Sequence, residues 1–207
     1  MKKILSLLLV CAATLTCAAD DKTDISKYLA GAVPTVNGYV QFDQEYTVEG
    51  KTQEEIFQSL FDYIQTHLVE GPEQLPQSRI TEADTLTGTI AASIDEYLYF
   101  KRTNWQIHRV HFYYQIVFQV KEGGYSVMMR NIRYKYDPEV SPGEFDEEYK
   151  AEKWITDDAA LTKKGTKLAR VSGKFRKGTI DRKDEIFATS ARAAGVKKKY
   201  KLVEVEE

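Results

Sequence analysis

The feature that most constrains this chain is a single strand's worth of alternation. Val110, Phe112, Tyr114, Ile116, Phe118 and Val120 fill every even position of one stretch, and the odd positions between them are mostly polar. Side chains two apart lie on the same face of an extended chain, so this row demands a sheet with one face buried and the other wet. Gly123-Gly124 then turns the chain back on itself.

The segments around this row fit the same sheet. Val40, Phe42, Tyr46 and Val48 share one face of an earlier strand, interrupted by Gln44. A short strand is expected at about 78–83, followed by one carrying Ile90, Ala92, Ile94, Leu98 and Phe100 on one face, broken only by Glu96. The strand after Gly124 poses a question of register. A two-residue loop would set Val127, Met129, Asn131, Arg133 and Lys135 beside the apolar row, burying charge. A three-residue loop with a glycine bulge moves Met128, Ile132, Tyr134 and Tyr136 there instead and leaves Arg130 as the odd member. The bulged loop is the expectation, because an unpaired buried cation costs several kcal/mol, on the order of other buried ions.

Two helical regions flank these strands. Thr52-Gln53-Glu54-Glu55 is a capping box, and Ile56, Phe57, Leu60, Phe61, Ile64 and Leu68 then share one helix face until Gly71-Pro72 stops it. Thr156 is expected to cap a short turn through Leu161, with Asp157 and Asp158 in its first turn. A long helix is expected over 163–194, apolar at Leu168, Val171, Phe175, Ile186 and Phe187 and breaking near Gly178. Between the sheet and this helix, residues 137–149 hold six acids and no lysine or arginine and read as a solvated loop. The order strand, helix, four strands, helix predicts an α+β fold, a curved antiparallel sheet with helices on one face.

The first 19 residues have the form of an export signal: Lys2 and Lys3, an apolar stretch from Ile4 to Leu15, and small residues before Asp20. This stretch holds both cysteines, Cys11 and Cys17. Cleavage after Ala19 leaves no thiol, which excludes cysteine nucleophiles and zinc-thiolate sites. It also removes two of 29 basic residues, leaving 27 against 31 acidic ones, so the formal charge moves from -2 to -4. The expected organisation is a signal peptide at 1–19, a tether and lead-in at 20–37, one domain at 38–195 and a charged tail at 196–207. The expected location is periplasmic or secreted. Lipidation at Cys17 is the lesser alternative, since Thr14-Leu15-Thr16 makes a poor lipidation box.

Four segments carry a resemblance. Lys27-Tyr28-Leu29-Ala30-Gly31-Ala32-Val33-Pro34, Glu96-Tyr97-Leu98-Tyr99-Phe100, the stretch from Trp154-Ile155-Thr156-Asp157 to Lys167-Leu168, and Asp184-Glu185-Ile186-Phe187 resemble exported proteins of gut-type Gram-negative bacteria that form a domain of unknown function with a TBP-like fold. The resemblance spans nearly all of the chain after residue 19. It implies a strand, helix, four-strand, helix unit, and it implies no activity and no functional residues.

The residues exclude more chemistry than they suggest. His108 and His111 are three apart on a strand and therefore face opposite sides of the sheet, and His67 stands alone on the first helix, so no metal site or other cofactor is expected. No nucleophile elbow of the form G-x-S-x-G is present. Asp157-Asp158 and Glu147-Glu148 read as helix-start and loop charges rather than an acid/base pair. Lys163, Lys167, Arg170, Lys174 and Lys177 would form a basic helix face, but in an acidic, exported chain that face reads as solvated, and no nucleic acid partner is expected.

One surface points to binding. Opposite the apolar rows stand Tyr97, Tyr99, Arg109, His111, Tyr113, Gln115, Arg133 and Lys135, on what should be the uncovered sheet face. Aromatic faces and guanidinium donors there would suit a sugar, a peptide or an anionic group, with Tyr97, Tyr99, Tyr113 and Arg133 as the candidate ligand residues. The expectation is a non-enzymatic module of the cell envelope that binds a partner or small ligand on this face. The alternatives are an enzyme acting on an envelope polymer, which requires a concave pocket with convergent acids or a histidine, and a structural or oligomeric role through the exposed edge at 78–83.

Overall fold

The computed structural model describes residues 24–137, 139 and 148–197. The segment expected to be an export signal, most of the expected acidic loop and most of the expected charged tail lie outside the described residues. Within them the elements are β1 (Thr35–Val36), β2 (Tyr39–Thr47), α1 (Gln53–Tyr63) with a π turn (Ile64–Val69), β3 (Arg79–Asp84), β4 (Thr89–Arg102), β5 (Ile107–Lys121), β6 (Gly124–Tyr136), β7 (Glu148–Lys150), two one-turn helices α2 (Ala151–Trp154) and α3 (Asp157–Ala160), and α4 (Ser172–Ala194). The strands form one antiparallel sheet in the order β1-β2-β6-β5-β4-β3, with β7 continuing alongside β6 beyond the end of β2. The helices pack on one side, giving the expected α+β architecture.

The even row of β5 is the centre of the core. Val110, Phe112, Ile116 and Phe118 have no exposed surface, and they meet Ile56, Leu60 and Ile64 of α1 and Phe175, Ile186 and Phe187 of α4 in one cluster. The capping box at Thr52 forms as the sequence requires: Glu55 N–H donates to the Thr52 hydroxyl and Thr52 N–H donates to the Glu55 carboxylate. At its other end α1 loosens into the π turn, and Gly71 follows where a β-carbon would lie 2.6 Å from the His67 carbonyl oxygen. Only glycine lets the chain leave so close to that turn.

The register of β6 corrects the expectation. The hairpin loop is the two-residue one, Glu122-Gly123, with Lys121 opposite Gly124. Tyr125, Val127 and Met129 therefore face the core, and Met128 does not. The bulge lies in mid-strand instead. Asn131 adopts φ 55°, the pairing slips between Tyr113 and Gln115, and from Ile132 onward the even positions turn inward. Both arguments that bore on the choice are satisfied at once: the tight loop is kept, no arginine or lysine is buried, and Arg130 points outward to Gln115.

The last helix is shorter than the sequence suggests, and it is unbroken. Residues 162–171 form an irregular connection, with Leu161 bridged to Leu168 and Gly165 at φ 66°. Lys163, Lys167 and Arg170 thus share no helix face with Lys174 and Lys177, and the expected basic stripe does not exist. Val171 is half exposed rather than part of an apolar stripe. Gly178 does not interrupt α4, because its missing side chain admits Leu98 of β4, whose methyl carbon would lie 3.2 Å from a β-carbon there. Thr156 stands at the N-cap position of α3, but its hydroxyl turns back to the Glu152 carbonyl rather than capping the turn.

One buried cation fastens the lead-in to this helix. Arg176, fully buried, donates to the carbonyls of Tyr28, Leu29 and Ile155 and to the Asp157 carboxylate, each at 2.6–2.7 Å. Asp157 also accepts the Gly31 N–H at 2.8 Å, and the Tyr28 hydroxyl donates to Asp181 at 2.6 Å. Each nitrogen of the guanidinium finds an acceptor, which is what makes burial of a charge tolerable.

Candidate functional site

Among the described residues no helix packs on the far face of the sheet, and the four predicted ligand residues all lie there. They come from neighbouring strands through the pairings Asp95–Tyr113, Tyr97–His111 and Tyr99–Arg109 between β4 and β5, and Tyr113–Arg133 between β5 and β6. The mid-strand bulge is what brings Arg133 to this face. Each tyrosine has a guanidinium over its ring: Arg109 lies 3.7 Å from the Tyr97 centroid, Arg102 4.6 Å from Tyr99 and Arg133 4.8 Å from Tyr113. His111 stacks on Tyr113 with centroids 5.8 Å apart.

Each of these cations already has an acidic partner. Arg109 is bonded to the buried Asp137 and to Glu139, Arg102 to Glu73, and Arg133 to Glu148 at 3.4 Å. Tyr99 is tied down as well, its hydroxyl donating to Glu73 at 2.8 Å. Burial alone would raise the Glu73 carboxyl, but the hydrogen bonds from Arg102 and Tyr99 outweigh it and hold the group below its ordinary value of 4.5.

Asp95 is what sequence reasoning missed. It is 2% exposed on the open face, its Oδ1 lies 3.2 Å from His111 Nδ1, and its Oδ2 is buried with no hydrogen-bond partner among the described residues. An orphaned carboxylate oxygen is costly and calls for a reason. Burial, reinforced by the Asp95 charge, pushes the facing Tyr113 phenol up to about 12. Beside this pair a shallow cup of about 140 Å³ is lined by Ser93, Tyr113, Gln115, Asn131 and Arg133. The available signal was an aspartate at the centre of a strand whose neighbouring face residues are aromatic.

A deeper cleft of about 390 Å³ opens on the other side of the β4 edge, between the π turn, the 71–74 segment and α4. Its floor is the ion pair of Glu96 and Arg182. Glu96, 2% exposed, accepts from Arg182 Nε at 2.8 Å and Nη2 at 2.7 Å, from the Tyr114 hydroxyl at 3.1 Å and from Gln74 at 2.7 Å. Glu96 is the residue that broke the apolar row of β4. Arg182 breaks the matching stripe of α4, standing at helical spacing between Thr179 and Ile186, so one acid and one base out of place on facing elements were a legible pair. Tyr97 borders the cleft as well as the open face.

His108 and His111 do lie on opposite faces. The first rests against Phe100 and Tyr136, the second beside Asp95. Among the described residues there is no helix long and apolar enough to cross a membrane.

The geometry can now be set beside known proteins. A crystal structure of a DUF4468 family protein from Bacteroides ovatus is 35% identical to this chain, with a TM-score of 0.75 over 87% of this chain and 100% of that one. A TBP-like protein from Parabacteroides distasonis superposes with a TM-score of 0.61 over 80% of this chain and 99% of that one, at 19% identity, a likeness of fold alone. No curated protein matches the chain. The family model for the domain of unknown function DUF4468, with TBP-like fold, matches residues 42–135, the stretch from β2 through the bulged β6. With these relatives and this sheet, the chain belongs to the DUF4468 family and has its TBP-like fold.

Proposed function

We propose that the protein is a non-catalytic, exported module of the cell envelope whose open sheet face binds a neutral, hydroxyl-rich ligand such as a saccharide. The observation that carries this reading is the cup beside Asp95, where Tyr113, Gln115, Asn131 and Arg133 set an aromatic face and amide groups among cations that already have acidic partners. A sugar ring offers a flat apolar face to tyrosine and hydroxyl groups to the polar side chains of Ser93, Gln115 and Asn131. An anionic ligand would compete with Glu73, Asp137 or Glu148 for its arginine. The same pairing offsets the charge that Arg102, Arg109 and Arg133 would offer to nucleic acid phosphates, and a TBP-like sheet does not by itself imply DNA binding. The enzyme alternative has its concave cleft, but the buried acid there, Glu96, is held by four donors and has no lone pair to spare for acid/base work.

Affinity chromatography of neutral and anionic oligosaccharides on the immobilised protein tests this. A neutral oligosaccharide should be retained by the wild type and released by Tyr113→Ala and by Arg133→Ala. Retention of anionic species alone, or retention unchanged in both variants, contradicts the reading.

A further inference from the structure

The cleft behind β4 carries a second inference, independent of the sheet face. We infer that it is a binding site for a primary ammonium group on an aliphatic arm. Three carboxylates line it, Glu73, Glu96 and Glu185, and two guanidiniums answer them, Arg102 on Glu73 and Arg182 on both Glu96 and Glu185. One negative charge is left over. Acceptors are also left open. Glu96 is saturated, Glu185 is 60% exposed with one oxygen on Arg182 at 2.9 Å, and the amide oxygen of Gln74 is buried with no partner among the described residues. Gln74 cannot relieve this by turning over, because its NH₂ is fixed on Glu96 at 2.7 Å and the reversed amide would set oxygen against carboxylate.

The walls therefore offer acceptors, and a ligand must bring donors and one positive charge. The rest of the lining is apolar or aromatic: Leu68, Pro72, Tyr97, and Tyr63 stacked on His67 with centroids 5.1 Å apart. Such a wall suits methylene groups, and aromatic rings near an ammonium add attraction. At about 390 Å³ the cleft is of a size that holds a small organic molecule. The π turn shapes it, since Thr66, His67 and Leu68 on that turn form one wall, and π turns inside helices recur where a site needs an extra residue in the ridge.

The probes are pentylammonium and its neutral isostere 1-pentanol, titrated into the full chain while backbone amide shifts are followed. Pentylammonium should move the amides of Thr66, His67, Gln74 and Glu185 saturably, with pentanol at least about tenfold weaker, the scale of one charge-assisted hydrogen bond. Glu185→Gln, on an exposed helix position, should weaken pentylammonium about tenfold and leave pentanol unchanged. Glu45→Gln, an exposed acid on β2, should change neither. A third arm, Nα-acetyl-lysine methylamide, separates the sources: its tighter binding identifies a protein lysyl group, and tighter binding of the simple amine a free metabolite. Equal binding of amine and alcohol, absence of shifts at the cleft, or full affinity in Glu185→Gln overturns the inference.

Discussion

The individual residues that matter most are those whose charge is buried against a partner. Glu96 and Arg182 stand in otherwise apolar rows; removing Arg182 strands the buried Glu96 carboxylate, while removing Glu96 leaves Arg182 with the exposed Glu185 alone. Arg182→Leu should cost about 3–5 kcal/mol in urea unfolding, Glu96→Leu less, and the double variant clearly less than the sum, because the stranded charge is then gone. An additive double variant would mean that the two groups do not act as a pair. Glu73 makes a separate prediction in acid. Its folded-state pKa is depressed by Arg102 and Tyr99, so its stabilisation is complete above its ordinary value of 4.5 and is lost as pH falls below it. The hydrogen-exchange protection factor of the Leu75 N–H, which donates to the Asp95 carbonyl, should fall over that interval. In Glu73→Gln this acid-dependent loss of protection should largely vanish.

At the scale of elements, the bulge in β6 decides which residues reach the open face. Asn131 takes a left-handed backbone conformation that glycine or asparagine tolerates and a β-branched residue resists. Asn131→Gly should unfold within a few tenths of a kcal/mol of wild type, and Asn131→Val should lose about 1–2 kcal/mol, read from chemical denaturation. This strand also shows how far the sequence reaches. The two apolar half-rows of β6, odd then even, were both visible, as was the cost of burying Arg133. What alternation cannot reveal is where the one-residue slip occurs, because a bulge in the loop and a bulge at Asn131 satisfy the second half-row equally. Only Tyr125, Val127 and Met129 distinguish them. Helix α1 was legible to its cap because its signals are local. The start of α4 was not, since Leu168 and Val171 have helical spacing and only the bridge from Leu161 to Leu168 shows that residues 162–171 form something else. The open face was legible as a list of residues, Tyr97, Tyr99, Tyr113 and Arg133, and not as a site. The acids that neutralise its cations, Glu73, Asp137 and Glu148, come from segments far off in sequence.

For the whole molecule, the sheet divides two kinds of surface. One side is closed by α1 and α4 around a continuous core, with the lead-in fastened down by Arg176. The other carries its own ion pairs, and Asp95 Oδ2 there is a buried acceptor unpartnered among the described residues. The edge at β3, where an oligomeric contact was conceivable, is broken by a bulge between Ile80 and Glu82 and carries exposed Arg79 and Glu82, features that discourage strand addition. The surface we propose for a ligand is the face around Asp95. The direct test is amide shift mapping of the protein titrated with a neutral oligosaccharide. Saturable shifts confined to Ser93, Asp95, Tyr113, Gln115 and Arg133, unchanged by added salt, are the predicted result. Shifts that are absent, or that appear only with anionic ligands and vanish as salt is raised, would contradict it.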